Sequence, residues 1–427
     1  MRSMSFRTGF CALLAALALA TSASSAELPR ATPGEVGLSA ERLDKITTVL
    51  KNDVAQKTLV GCVLLIARHG KIAYLQAVGA RDPQENAPMS ADSIFRIYSM
   101  SKVITITAAL TLVEEGLVSL DDPISKYLPQ FANMTVGVAV PNPAGGDTNV
   151  MQLVPARRPI TVLDLMRHSS GITYGFFGDT LVKKAYQGVD LLSGKFTNAE
   201  LVDSLAKLPL AYQPGTTWDY SYSIDVLGRL VEVVSGKSLY QYEKERLLDP
   251  LQMTDTSFYV TEPARKSRLA QPFADDRVMG VDLTMNDPTE VRPWESGGGG
   301  MVSTAGDYAR LLQMLLNAGT LEGKRYLGPQ TVAYMTTDQL GTEVHPGPYY
   351  LPGPGYGFGL GVAVRLTRGG PAANGEPGDW YWGGAGGTYF WVDPKNDMFA
   401  VFMMQSPKQR IHYRGLLRNM IYAAIEK

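Results

Sequence analysis

Ser93-Ile94-Phe95-Arg96-Ile97-Tyr98-Ser99-Met100-Ser101-Lys102 is the stretch on which the reading turns, because an extended pattern gives way there to a helical one. The changeover falls at a hydroxyl and an amine three residues apart. Ser93 to Tyr98 reads as extended and half buried, whereas Val103 to Val113 carries helix-compatible apolar residues that run out at Glu114-Glu115-Gly116. A helix starting near Ser99 puts Ser99 and Lys102 on one face, where an unprotonated lysine can take the serine proton. That makes a nucleophile with its own base. The N–H groups of a helix start also favour negative charge developing beside them. Taken alone, the same residues more readily describe a Ser99 that only caps a helix beside a solvated Lys102, since a chain of this length shows such a spacing about once by chance.

Outward from this stretch, strand patterns lie at both ends of the chain and helical ones between them. Cys62 to Ala67 and Lys71 to Gly79 are β-rich runs separated by Arg68-His69-Gly70, and they read as a hairpin. Helical patterns follow at Ala108 to Glu115, Val162 to Arg167, Thr197 to Leu208 and Ile224 to Val234. Thr197-Asn198-Ala199-Glu200 is a capping box, and Gly236 is a C-terminal stop. After Gly297 to Gly300, a second cap at Thr304 opens a helix through Leu316. Strands return at Gly359 to Leu366, Gly387 to Asp393 and Met398 to Met404, and Leu416 to Ile425 closes the chain as a helix. This order implies an α/β fold: a sheet part at about 27–98 and 287–427, an inserted mainly helical part at about 99–286, and a cleft at their junction. Pro141 to Arg158 and Val344 to Gly355, rich in Pro and Gly, read as surface excursions or cleft walls.

With 427 residues, 45% of them hydrophobic and 19% charged, the chain can bury a large core. Its net charge of -1 and the lack of a long Lys or Arg run select no nucleic acid or other polyanion as partner. Small neutral or mixed-charge substrates are expected. Arg2, Arg7, the apolar run Phe10 to Ala20 and Ser24-Ser25-Ala26 read as an export leader over 1–26, with 27–427 as the mature catalytic domain. The run is too short for a mature membrane span, and Cys11 at its start is misplaced for a lipid anchor. Cleavage leaves Cys62 as the only cysteine, so no internal disulfide can form. A soluble exported protein, periplasmic or secreted, without a stable membrane anchor, is expected.

Two further constellations bear on Ser99. In Trp218-Asp219-Tyr220-Ser221-Tyr222-Ser223, a tyrosine just ahead of a helix can stand over a nucleophile as a proton carrier, or can be a packed aromatic turn. In Trp382-Gly383-Gly384-Ala385-Gly386-Gly387-Thr388, glycines let a substrate carbonyl approach an edge strand whose N–H is half of an oxyanion hole, or simply make a hairpin turn.

Together these residues resemble the serine β-lactamase and penicillin-binding family, which carries S-x-x-K, then a Tyr or Ser motif, then a Lys-Thr-Gly-type strand. Tyr220-Ser221-Tyr222 and Trp382-Gly383-Gly384 in the last two places are similar to the class C β-lactamase-related carboxylesterases called family VIII. Leu117 to Pro123, Arg167 to Gly175 and Ser296 to Thr304 carry the same resemblance, which spans roughly Glu35 to Lys427. It implies a β-lactamase/transpeptidase-like fold, an antiparallel sheet flanked by helices. It also implies Ser99 as the acylated nucleophile, Lys102 and Tyr220 as its acid and base, the backbone N–H groups of Ser99 and Ala385 as oxyanion hole, and Tyr222, Trp382, Gly383 and Gly384 at the substrate.

Class C enzymes have Asn where Tyr222 stands and Lys where Trp382 stands, so the loss of both weakens recognition of an amide and a carboxylate. An aromatic rim of Trp218, Trp380, Tyr381 and Trp382 favours apolar acyl esters instead. The implied substrate is a small-molecule ester or a β-lactam-like compound. A class C-like β-lactamase, a D-amino-acid peptidase and a non-catalytic ligand sensor of the same fold are the alternatives. No G-x-S-x-G elbow occurs. His69, His168, His345 and His412 lack metal-ligand spacing, so no metal and no organic cofactor are expected, and His168 is expected to pack near Ser170. Gly297 to Gly300 lacks the lysine of a phosphate loop and is expected to give close backbone packing.

Overall fold

Gly61–Arg68 is buried along its whole length because both of its faces are covered, which is why it reads as a continuous apolar run. In the computed structural model, which describes residues 27–145, 148–277 and 286–426, this strand turns through His69 and Gly70 into Lys71–Asp82. Both turn residues have positive φ, the backbone twist that a tight hairpin needs. Its other edge pairs with Met398–Met404. The leader expected over 1–26 lies outside the described residues.

The sheet has eight strands in the order Tyr356–Phe358, Ala363–Arg365, Trp380–Gly383, Tyr389–Asp393, Met398–Met404, Gly61–Arg68, Lys71–Asp82 and Ala87–Pro88. Every neighbouring pair is antiparallel. Strand alternation divides the core in two. Cys62, Leu64 and Ile66, with Ala400, Phe402 and Met404, face Leu43, Ile46 and Leu50 of helix Ala40–Ala55 and Tyr413, Leu417 and Ile421 of helix Arg410–Tyr422. Val63, Leu65, Phe399, Val401 and Met403 face the larger core, which the helical part completes. A buried aliphatic or aromatic side chain stabilises by about 1.5–3 kcal/mol, so one slip of register, which exchanges the two faces, is strongly disfavoured.

Helix Ser101–Glu114 runs through that larger core, and every residue from Ser101 to Leu112 is buried. It is apolar all round because it is surrounded. It packs against Ser223–Ser235, whose left-handed C-cap is Gly236. The capping box at Thr197 and the Thr304 cap open helices Asn198–Leu205 and Ala305–Leu316.

Three sequence expectations are corrected. Gly359 to Leu366 is not one strand, because Gly361 is left-handed (φ 76°) and Gly359 N–H bonds Val362 O, folding the segment into a turn between Tyr356–Phe358 and Ala363–Arg365. Pro141 to Arg158 is not loop throughout. Thr135–Pro141 and Asn149–Pro155 pair as a hairpin on which alternating valines outweigh the turn residues at its tip. The closing helix is Arg410–Tyr422 rather than Leu416 to Ile425, since its buried stripe Tyr413, Leu417 and Ile421 is interleaved with charged residues that hid its start.

Candidate active site

Ser99 sits in the middle of a single 3-10 turn, Tyr98–Met100, that leads directly into helix Ser101–Glu114. The turn is fixed from all sides. Phe95 and Arg96 pair with Val302 and Ser303, Ile97 N–H bonds Met301 O at 3.0 Å, and Ser101 Oγ donates to Tyr98 O at 2.6 Å. Tyr308 Oη donates to Met100 O at 3.0 Å. Tyr98 is held at φ 44°, a left-handed conformation costly for a bulky residue. This tight bend presents Ser99, half-buried like Tyr98 and flanked by buried Ile97 and Met100, to a cavity.

Lys102 is fully buried, and its Nζ lies 3.5 Å from Ser99 Oγ and 3.4 Å from Tyr174 Oη. Gly298 O accepts a third bond from the same nitrogen. The Tyr220 ring centroid is 4.6 Å from it, within cation–π range. Hydroxyl, amine and phenol are therefore brought together, with Ser99 and Lys102 from one helix start and Tyr220 from the turn before Ser223–Ser235. Burial first, and the Asp225 charge second, push the Tyr174 phenol well above its ordinary value, so it stays a neutral hydroxyl beside the amine.

A cavity of about 190 Å³ opens from Ser99. Ser99 and Ala385 both border it, together with Tyr174, Tyr220 and Tyr222. Gly384, just before Ala385, lies flat against the chain ahead of Ser99: a Cβ there would collide with Ile97 O, and Thr388 Oγ1 donates to that same carbonyl at 3.3 Å. Phe176, Leu192, Phe258, Tyr259 and Trp294 make an apolar wall farther out. The run Gly297 to Gly300 packs its backbone against Thr105, Asp225 and Tyr98.

Trp382, Gly383 and Gly384 do not line this cavity. Trp382 is buried behind it, and its indole N–H donates to Tyr220 Oη at 3.2 Å. The indole thus orients the phenol instead of forming a substrate wall. The expected aromatic rim is corrected likewise: Trp218 and Trp380 are core residues, Trp218 stacked on Tyr220 at 5.9 Å and Trp380 edge-on to Phe390 at 5.8 Å. Tyr222 does border the cavity, but it is 2% exposed and its hydroxyl is directed at Leu191 O, 3.5 Å away. His168 Nδ1 is 3.2 Å from Ser221 Oγ, which is joined through Ser223 to Ser170. Burial, then the nearby Lys102 charge, lower His168 well below its usual value and keep it neutral. Sequence reasoning gave no role to Tyr174 or Asp225. The signal for Asp225 was an acidic residue inside an otherwise apolar helix start.

Trp382→Phe keeps an aromatic ring and removes the donor. For a Tyr220 that carries protons in turnover, it is expected to lower kcat roughly tenfold with KM within about twofold, the size of one lost hydrogen bond to such a group. Steady-state kinetics on an aryl ester check this, and an unchanged kcat would show that the bond does not act in catalysis.

A serine hydroxyl against a buried amine and a phenol, at the mouth of an apolar cavity between a sheet and a helical part, is the apparatus of a serine hydrolase. A family model described as beta-lactamase matches residues 46–418, and the chain belongs to that family. Esterase EstB of Burkholderia gladioli is 31% identical over 417 residues, covering 90% of this chain and 95% of EstB. Lovastatin esterase of Penicillium rubens is 31% identical over 371 residues, covering 79% and 86%. The solved structure of EstCE1, a hydrolase with promiscuous acyltransferase activity, superposes with a TM-score of 0.73 at 27% identity, covering 89% of this chain and 98% of that one. The resemblance to esterase-type members drawn from the motifs is borne out, as is the antiparallel α/β fold.

Proposed function

We propose that this protein cleaves carboxylic esters with apolar acyl groups, short-chain or aryl, through an acyl-Ser99 intermediate. The observation that carries the reading is Lys102 Nζ, buried and 3.5 Å from Ser99 Oγ, on a cavity with an apolar wall. Lys102, as the neutral amine, takes the Ser99 proton as Oγ attacks the ester carbonyl, and replaces the proton that Tyr220 gives up. The N–H groups of Ser99 and Ala385 receive the charge that develops on the carbonyl oxygen. Tyr220, held by Trp382, returns the proton to the departing alkoxide, and water entering from the same side releases the acid as the proton path reverses. An alcohol in place of that water gives acyl transfer, the activity named for EstCE1.

Ester preference over β-lactams follows from what stands at two positions. Tyr222 offers no side-chain amide, and Trp382 carries no charge and is committed to Tyr220. Arg292 on the cavity wall is already bonded to Glu290 at 2.8 Å. A penicillin carboxylate and side-chain amide thus lack two partners, each charge-assisted contact being worth about 1.5–3 kcal/mol. We expect kcat/KM for p-nitrophenyl butyrate to exceed that for benzylpenicillin by roughly 10²- to 10⁴-fold. Faster turnover of the penicillin would replace this reading with that of a β-lactamase. The change Tyr222→Asn with Trp382→Lys is expected to shift the ratio only at a cost in folding, since both aromatic rings are buried.

No helix among the described residues is long and apolar enough to cross a membrane. Export rests on the Arg2 to Ala26 pattern. An intact mass beginning at Glu27 after expression in a secreting host tests it, and full-length protein that keeps Met1 to Ala26 and stays in the cytoplasmic fraction overturns it.

A further inference from the structure

One buried charge stands beside the catalytic groups without a part in the steps above. Asp225 is 3% exposed on helix Ser223–Ser235, facing helix Ser101–Glu114. Its Oδ1 accepts from Ser296 Oγ at 2.6 Å and from Gly298 N–H at 3.2 Å. Gly298 is gripped at both ends, because its carbonyl oxygen takes a hydrogen bond from Lys102 Nζ. Only glycine fits there: a Cβ on Gly298 would collide with Asp225 Oδ2. The carboxylate, the glycine and the amine therefore form one chain of contacts that ends at Ser99 Oγ.

We propose that Asp225 is a positioning residue which, through Gly298, fixes the Lys102 amine at Ser99 and supplies the negative charge against which Lys102 gains and loses its proton. This rests on the reading of Lys102 as base. Burial raises the Asp225 carboxyl while the Lys102 charge opposes that rise, which is the mutual effect expected of two facing charges in a poorly hydrated place. The other titratable groups around the pair do not substitute for it. Tyr174 and Tyr222 are both raised by burial and then by Asp225, His168 is neutral, and Tyr220 presents its ring face to the amine. Glu243, one helical turn behind Lys102 through Thr105, is raised well above its usual value by burial and stays protonated.

The sign is fixed by charge. A buried carboxylate stabilises positive charge facing it, so removing the Asp225 charge is expected to shift the acidic limb of the rate profile to lower pH. Asp225→Asn keeps the shape and an oxygen for Ser296 and Gly298. Its acidic limb in kcat/KM is expected to move down by roughly one pH unit, and its kcat to fall about tenfold with KM little changed. An unmoved limb alongside a lower melting temperature would mean that Asp225 only holds the fold, and would overturn the proposal. Should Asp225→Asn not fold, Ser296→Ala, which removes one donor from the same oxygen, must displace the limb measurably, and an unmoved limb there has the same meaning. Fluorophosphonate labelling of Ser99 in the native enzyme is scored separately. If that labelling fails, the nucleophile reading fails, whatever the pH profiles show.

Discussion

Ser99→Ala is expected to lose ester turnover by at least about 10⁴-fold while keeping the fold of the native protein. The loss is large because the hydroxyl is the only atom removed and the covalent path needs it. The fold survives because the turn does not depend on that hydroxyl: Ser101 Oγ, Tyr308 Oη and the Ile97 amide hold the backbone on either side. Neither Ser101 nor Ser296 can take over. Ser101 is buried and donates its hydroxyl to Tyr98 O, and Ser296 donates its hydroxyl to Asp225 Oδ1. The measurement is p-nitrophenyl butyrate hydrolysis beside a thermal melt, with peptide mapping of a fluorophosphonate adduct on the native protein. Residual activity above about 1% of the native rate, or an adduct on another residue, would move the nucleophile elsewhere.

How much of this site could be read from sequence differs between its two halves for a physical reason. Ser99 and Lys102 lie on one turn, so their spacing alone places the hydroxyl and amine together, and the 3.5 Å separation follows from local geometry. Tyr220 is 118 residues farther on, and its meeting with Lys102 depends on two helices packing, which no spacing records. The motif resemblance supplied that contact. Trp382 shows the limit of carrying over a position. Its place in the motif suggested a wall for substrate, but an indole is long enough to reach past the strand and donate to Tyr220, a contact that depends on side-chain size and direction. Gly298 was read as close packing, and the structure gives that closeness a partner on each side, Asp225 at its N–H and Lys102 at its carbonyl. The hairpin Thr135–Pro141 with Asn149–Pro155 was missed because Pro and Gly near its tip outweighed the alternation of Val136, Val138 and Val140.

Lys102→Arg is expected to be nearly as damaging as Lys102→Ala, each by about 10³-fold or more in kcat, which a merely electrostatic role for the lysine would not produce. The guanidinium keeps the positive charge beside Asp225 but cannot give up its proton at neutral pH, so charge is retained and the base is lost. It is also too large for a site closed by Gly298 O, Tyr174 Oη, Ser99 Oγ and the Tyr220 ring. Recovery of more than about a tenth of the native rate in the arginine variant would rule out a base role. Lys102→Met separates volume from chemistry, because it fills the site without an amine. It should be equally inactive, and its stability should depend on pH in a defined sense. The Asp225 carboxyl is already raised by burial, and losing the Lys102 charge removes what opposes that rise. A carboxyl whose folded-state pKa lies above its unfolded value of about 3.9 supports the fold fully only below that value, and the support is lost as pH rises through the folded-state pKa. Denaturant melts of Lys102→Met should therefore show stability falling relative to the native protein from mildly acidic towards neutral pH. Parallel curves for the two proteins would show that Asp225 and Lys102 do not share charge across Gly298.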